Sequence, residues 1–223
     1  KPDHVKLLTD GNATRDNIVA ELGGKWLGRL ANKDDLVVVY LSSHGSTTKA
    51  QVGVNFLVAA DTNPNALLGT GIPMQWLSEI IKEQVHCDRV VLVIDVCHSG
   101  AATAGAAGAT ASSGEKRLIR QNNFDIENLK LGSGQAVLCS SLSDQVSWES
   151  KQYENSVFTR KLIEALKKRG DQTSLTEAYQ DLRREVESEV LRDRGELQTP
   201  VLNMKSWAGP DPVLSATPAS PRP

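Results

Sequence analysis

Two strand-like runs end in residues whose types can do chemistry. LVVVYLSSHG, residues 36 to 45, ends in His44 and Gly45, and VVLVIDVCHSG, residues 90 to 100, carries Asp95, Cys97 and His98 at its tip. A cysteine behind an apolar run is ordinarily inert packing. It becomes a nucleophile when an imidazole holds the thiolate and later protonates a leaving amine, and when backbone N–H groups face the developing oxyanion. Cys97 is the candidate nucleophile and His44 the candidate base. The backbone N–H groups of Gly45 and Cys97 are the candidate oxyanion donors, glycine letting a substrate come close to the chain. His98 follows the nucleophile directly and is read as shaping the loop.

Those residues need a scaffold that brings two strand ends together. LVVVYLSS (36–43), VNFLVAA (54–60), RVVLVID (89–95) and QAVLCSS (135–141) are short aliphatic or β-branched runs, as expected of strands buried on both faces. Residues 13–30 space Ile18, Leu22, Trp26 and Leu30 as one helix face. Residues 73–83 do so with Trp76, Leu77, Ile80 and Ile81 behind Pro73. Two more helices are predicted over 157–168 (Phe158, Leu162, Ile163, Leu166) and 175–191, the latter opened by Ser174 and Glu177 as a capping box. Strands alternating with helices predict an α/β fold, a three-layer αβα sandwich around a mainly parallel sheet, whose active sites form at the carboxyl ends of the strands.

The chain has 223 residues, 23% charged and 39% hydrophobic, with a formal net charge of -2. That balance advertises no nucleic acid or anionic membrane as partner. No apolar stretch reaches the roughly 18 to 20 residues of a membrane helix. Cys87, Cys97 and Cys139 form neither a disulfide framework nor a zinc motif, which places the chain in a reducing, cytoplasmic setting. Cys87 and Cys139 are read as core or near-surface thiols, and His4 and His86 as solvated. Residues 100–114, GAATAGAAGATASSG, have little to bury and, with EKRLIRQNN behind them, read as a mobile linker of about 100–122. The proline-rich stretch 208–223 reads as a disordered tail. The chain opens on KPDHVKLLTD, running into what looks like a strand, so a first strand is expected upstream.

DVCHSG resembles the D-x-C-H-S-G of metacaspases and orthocaspases, caspase-like cysteine peptidases of family C14. The interval of 53 residues from His44 to Cys97 is close to the roughly 50 of caspases. NFLVAADTNP, the GIP before the second helix and SVFTRKLIEAL extend the likeness over about residues 5–200. The resemblance implies one peptidase domain over 1–207. Its large-subunit part is about 1–115, its small-subunit part about 121–207, and the linker between them is open to self-cleavage at Lys116, Arg117 or Arg120. It also implies an S1 pocket of reversed charge. In metacaspase-like enzymes Asp95 stands where caspases carry a glutamine, and Glu149 of SWES stands where caspases place an arginine. Ser42 matches a pocket serine, and Asp144 is a further acid nearby. The expected substrates are proteins or peptides with Arg or Lys at P1, met by charge-assisted bonds. No organic cofactor or metal is expected. Asp61 matches one calcium-site aspartate of the family, but LLGTGIPMQW (67–76) lacks an acidic pair, so calcium independence is expected. By resemblance, bacterial relatives join such domains to sensor or repeat modules. Two other readings stay open: a catalytically silent regulatory or scaffold domain, and a cysteine hydrolase acting on a non-peptide substrate.

Overall fold

The computed structural model describes residues 2–47, 55–98, 133–142 and 145–215. Its strands are β1 (Val37–Thr47), β2 (Asn55–Leu57), β3 (Ile72–Pro73), β4 (Val90–His98), β5 (Gln135–Cys139) and β6 (Val201–Asn203), in the sheet order β3-β2-β1-β4-β5-β6. The centre, β1-β4-β5, is parallel, and the flanking pairs β1-β2, β2-β3 and β5-β6 are antiparallel. The α/β sandwich with a mainly parallel core is therefore the observed architecture. VNFLVAA contributes only a three-residue strand, which pairs antiparallel with β1.

Alternation along the strands sorts two cores. Val37, Val39, Val90, Leu92, Ile94, Val137 and Cys139 face one side, against Leu27, Met74, Leu77 and Ile81 from α2 (Leu27–Leu30) and α4 (Met74–Gln84). Val91, Val93, Ala136 and Leu138 face the other, against Phe158 and Leu162 of α5 (Val157–Lys167) and Leu175, Leu182 and Val186 of α6 (Leu175–Arg194). The Ser174–Glu177 capping box is present at the start of α6. Arg160 of α5 pairs with Glu189 of α6 at 2.5 Å, and the Tyr153 ring lies 4.4 Å from the same guanidinium.

Several expectations are corrected. The single helix over 13–30 is two pieces, α1 (Arg15–Leu22) and α2, since Gly23 and Gly24 offer the helix little. A four-residue α3 (Leu67–Thr70) precedes β3. Trp76 and Ile163, assigned to buried helix faces, are exposed; Trp76 instead carries the Arg15 guanidinium 5.2 Å from its ring centre. Residues 5–9 form no strand, and Val5 and Leu7 are exposed. A cavity of about 1370 Å³ lies between that segment and β1. Part of the stretch read as a disordered tail is tied down: Leu175 donates its N–H to the Pro212 carbonyl, Thr176 to the Asp211 carboxylate, and Ser215 bonds to the Gly170 carbonyl. The linker 100–122, with Lys116, Arg117 and Arg120, and Asp144 lie outside the described residues.

The turn into β5 sets a sharp local requirement. Gly134 has φ +77°, and a Cβ there would stand 1.7 Å from the Asp88 carbonyl oxygen. Its own carbonyl accepts from Val90 N–H, starting the β4-β5 ladder. Gly134→Ala is expected to destabilise the fold by more than about 2 kcal/mol, measured by chemical denaturation.

Candidate active site

β1 and β4 run on past the ends expected from sequence, Ser43 and Asp95, to Thr47 and His98. The parallel register pairs Ser42 with Asp95, Ser43 with Val96, His44 with Cys97 and Gly45 with His98. The candidate dyad thus occupies one rung of the ladder. Parallel neighbours stand about 4.8 Å apart. His44 is exposed and its carbonyl accepts from Val58 N–H, which holds β1 against the return into β2. Gly45 is buried, paired with Leu57 on one side and His98 on the other.

Two rungs below, Asp95 is only 2% exposed. Burying a carboxylate costs several kcal/mol unless hydrogen bonds compensate it. Here three hydroxyls do so: Ser147 donates to Oδ1 at 3.0 Å, and Ser156 and Thr159 donate to Oδ2 at 2.5 and 2.6 Å. Ser156 is also the N-cap of α5, accepting Thr159 N–H at 2.9 Å. The carboxylate thereby sits at a helix N-terminus, where the dipole favours negative charge. Ser147 is held in turn by Gln198, fully buried. The Gln198 amide nitrogen donates to Ser147 Oγ at 3.2 Å and to the Ser140 carbonyl at 3.0 Å, and its oxygen accepts Trp148 N–H at 2.9 Å.

Ser42 pairs with Asp95 in the ladder, and Glu149 bridges to Ser156, whose hydroxyl donates to Asp95. Tyr40, on the same face of β1 as Ser42 and His44, bonds through its hydroxyl to Thr159 Oγ1 at 2.6 Å. Its phenol pKa is raised, first by partial burial and further by the nearby charges of Asp95 and Glu149, against hydrogen bonds to Thr159 and Ser42 that act the other way. Tyr40 is therefore tied to Asp95 through Thr159. Glu149 is exposed and forms a bridge with Ser156. Its segment is clamped to the end of α6: Arg194 lies 4.8 Å over the Trp148 ring and donates to the Glu149 carbonyl, and Lys151 donates to the Asp193 carbonyl.

Tyr40, Ser147, Ser156, Thr159 and Gln198 were not singled out by sequence reasoning. Tyr40 had one available signal, since it precedes Ser42 and His44 by two and four positions on a strand of period two. Cys87, Cys139 and Asp61 have partners away from Asp95 or none near it among the described residues. Burial pushes the Cys139 thiol far above its ordinary range, and the Cys87 thiol donates to the Asp35 carbonyl at 3.0 Å. His4 and His86 are exposed. Asp61 accepts Arg15 N–H at 2.8 Å at the start of α1. Among the described residues no group of three His, Cys, Asp or Glu could hold a metal ion, and no helix is long and apolar enough to cross a membrane.

Residues 4–208 match the family model of the Caspase domain, Peptidase C14. A search of the curated proteins found no match. Among solved structures, protein GSU0716 from Geobacter sulfurreducens is similar in fold, with a TM-score of 0.58 and 18% identity over 96% of this chain and 80% of that one.

Proposed function

The chain belongs to the Caspase domain family of peptidases, and on that premise we propose that it is a cysteine endopeptidase that cuts proteins or peptides after Arg or Lys. The observation that carries the reading is the shared rung of His44 and Cys97 at the carboxyl ends of two adjacent parallel strands. The buried Asp95 carboxylate two rungs below, paired with Ser42 in the ladder and bonded to Ser156, which bridges to Glu149, supports a pocket for a basic side chain. Charge complementarity favours a cation there, and an acidic side chain would meet like charge.

In this reading His44 assists Cys97, whose thiolate attacks the carbonyl carbon after the basic residue. The carbonyl π bond opens onto oxygen, and the Gly45 and Cys97 N–H groups stabilise the resulting oxyanion. As the C–N bond breaks, His44 protonates the leaving amine and a thioester remains. Water then adds to the thioester with His44 as base, releasing the acid and returning the thiol. Each step is completed by side chains and backbone of this chain. Calcium is not required in this scheme. The linker basic residues Lys116, Arg117 and Arg120 suit the same specificity, so the enzyme processes itself between its two parts. Sensor or repeat domains joined to it, in a cytoplasmic signalling setting, complete the proposal.

The test is a fluorogenic peptide panel with Arg, Lys and Asp at P1, run with and without a calcium chelator. The expected result is hydrolysis of Arg and Lys peptides at least about 10²-fold faster than Asp peptides, unchanged by the chelator. Asp peptides cut as fast as Arg peptides would overturn the specificity, and no labelling by a thiol-reactive peptidyl-arginine probe would overturn the activity.

A further inference from the structure

Asp95 is sealed from solvent at 2% exposure, with three hydroxyls already on its oxygens. A basic side chain entering the pocket meets other atoms first. The protons along the network have fixed directions.

An ionised carboxylate only accepts hydrogen bonds, and a threonine hydroxyl has one proton to give. Thr159 gives its proton to Asp95 Oδ2 at 2.6 Å. The 2.6 Å bond between Tyr40 and Thr159, whose donor the heavy atoms leave open, must therefore run from the Tyr40 hydroxyl to Thr159 Oγ1. A phenol, with an ordinary pKa of about 10, keeps that proton in place at neutral pH. Tyr40 then has no proton left to donate, and its oxygen offers lone pairs only. Ser42 is exposed on the same strand face. Every proton in the chain Tyr40–Thr159–Asp95 points inward. Each bond polarises the next, so the buried negative charge is expressed as a strengthened acceptor at the outer end. That end is accessible, Tyr40 being 45% exposed. Lys and Arg side chains carry donors and no acceptor, and a carboxylate carries acceptors alone. An outward-facing acceptor with no proton to give fits the first and repels the second.

We infer that the Tyr40 phenol oxygen, with Asp95 acting on it through Thr159, is the atom that contacts the basic P1 side chain, making Tyr40 a specificity-determining residue and Thr159 a positioning residue. The inference rests on the reading of this site as a pocket for Arg or Lys. Tyr40→Phe keeps the ring and removes the acceptor, and Thr159→Val keeps the shape and cuts the relay.

The experiment compares kcat/KM for two matched fluorogenic peptides, one with Arg at P1 and one with citrulline, which has nearly the same shape and no charge. Both variants are expected to lower the Arg-to-citrulline ratio by about tenfold or more, mainly through KM for the Arg peptide. A ratio within about twofold of wild type in Tyr40→Phe overturns the inference while leaving basic specificity standing, since the cation then reaches Asp95 by another route. A parallel fall of both rates also overturns it, because a general structural role moves the two substrates together. A wild-type enzyme with no preference for Arg over citrulline brings down the pocket reading itself, and this inference with it.

Discussion

Cys97→Ala is expected to reduce hydrolysis of Arg peptides by on the order of 10⁴-fold or more, because no other side chain replaces the covalent step. His44→Ala should cost a similar factor, and the double variant little more than either, since the two groups act as a unit. The backbone register that aligns them is set by the β1-β4 ladder and does not depend on the thiol, so both variants are expected to fold. The same variants report on self-processing. Intact-mass measurement of wild type after activation should show a cut after Lys116, Arg117 or Arg120, and Cys97→Ala should stay whole. A wild-type chain that remains whole while cutting peptides would separate activity from processing and remove the linker from the proposal.

Asp95→Asn is expected to have the second largest effect. Its replacement keeps the volume but removes the charge, and it turns an amide N–H₂ toward hydroxyls that now donate to a carboxylate. Arg hydrolysis should fall by about 10²-fold or more, and unfolding stability by about 1–3 kcal/mol, the range for disrupting buried hydrogen bonds to a charged group. Glu149 is exposed, and a solvent-screened charge is worth at most about 1 kcal/mol. Glu149→Gln should therefore change the Arg rate only about fivefold or less. Kinetics on the P1 panel and denaturant titration check both. If Asp95→Asn retains full selectivity for Arg, the buried carboxylate is structural and the specificity arises elsewhere.

Some elements of the fold follow from local rules. Aliphatic runs bounded by polar turns determined β1, β4 and β5, because a strand covered on both faces has no reason to alternate. The Ser174–Glu177 capping box marked the start of α6 because its bonds span three residues. Where neighbours in space decide, the same rules overran. The apolar spacing over 13–30 continued through two glycines that end α1, and VNFLVAA carried the composition of a central strand yet pairs for three residues at the sheet's antiparallel side. Trp76 has helical spacing with Leu77 and Ile81, but the surface offered it a guanidinium.

The sequence by itself determined an α/β sandwich and put a histidine and a cysteine near the ends of two of its strands, because strand periodicity and residue chemistry are local properties. Tertiary structure alone decided that positions 44 and 97 share a rung, and that Asp95 is enclosed by Ser147, Ser156 and Thr159. It likewise brought Tyr40 to Thr159, 119 positions away. Serines, threonines and a lone tyrosine carry no pattern that distinguishes a surface hydroxyl from one bonded to a buried carboxylate. That difference arises only when the N-terminus of α5 closes over the end of β4 and excludes water, leaving each hydroxyl proton one direction in which to point.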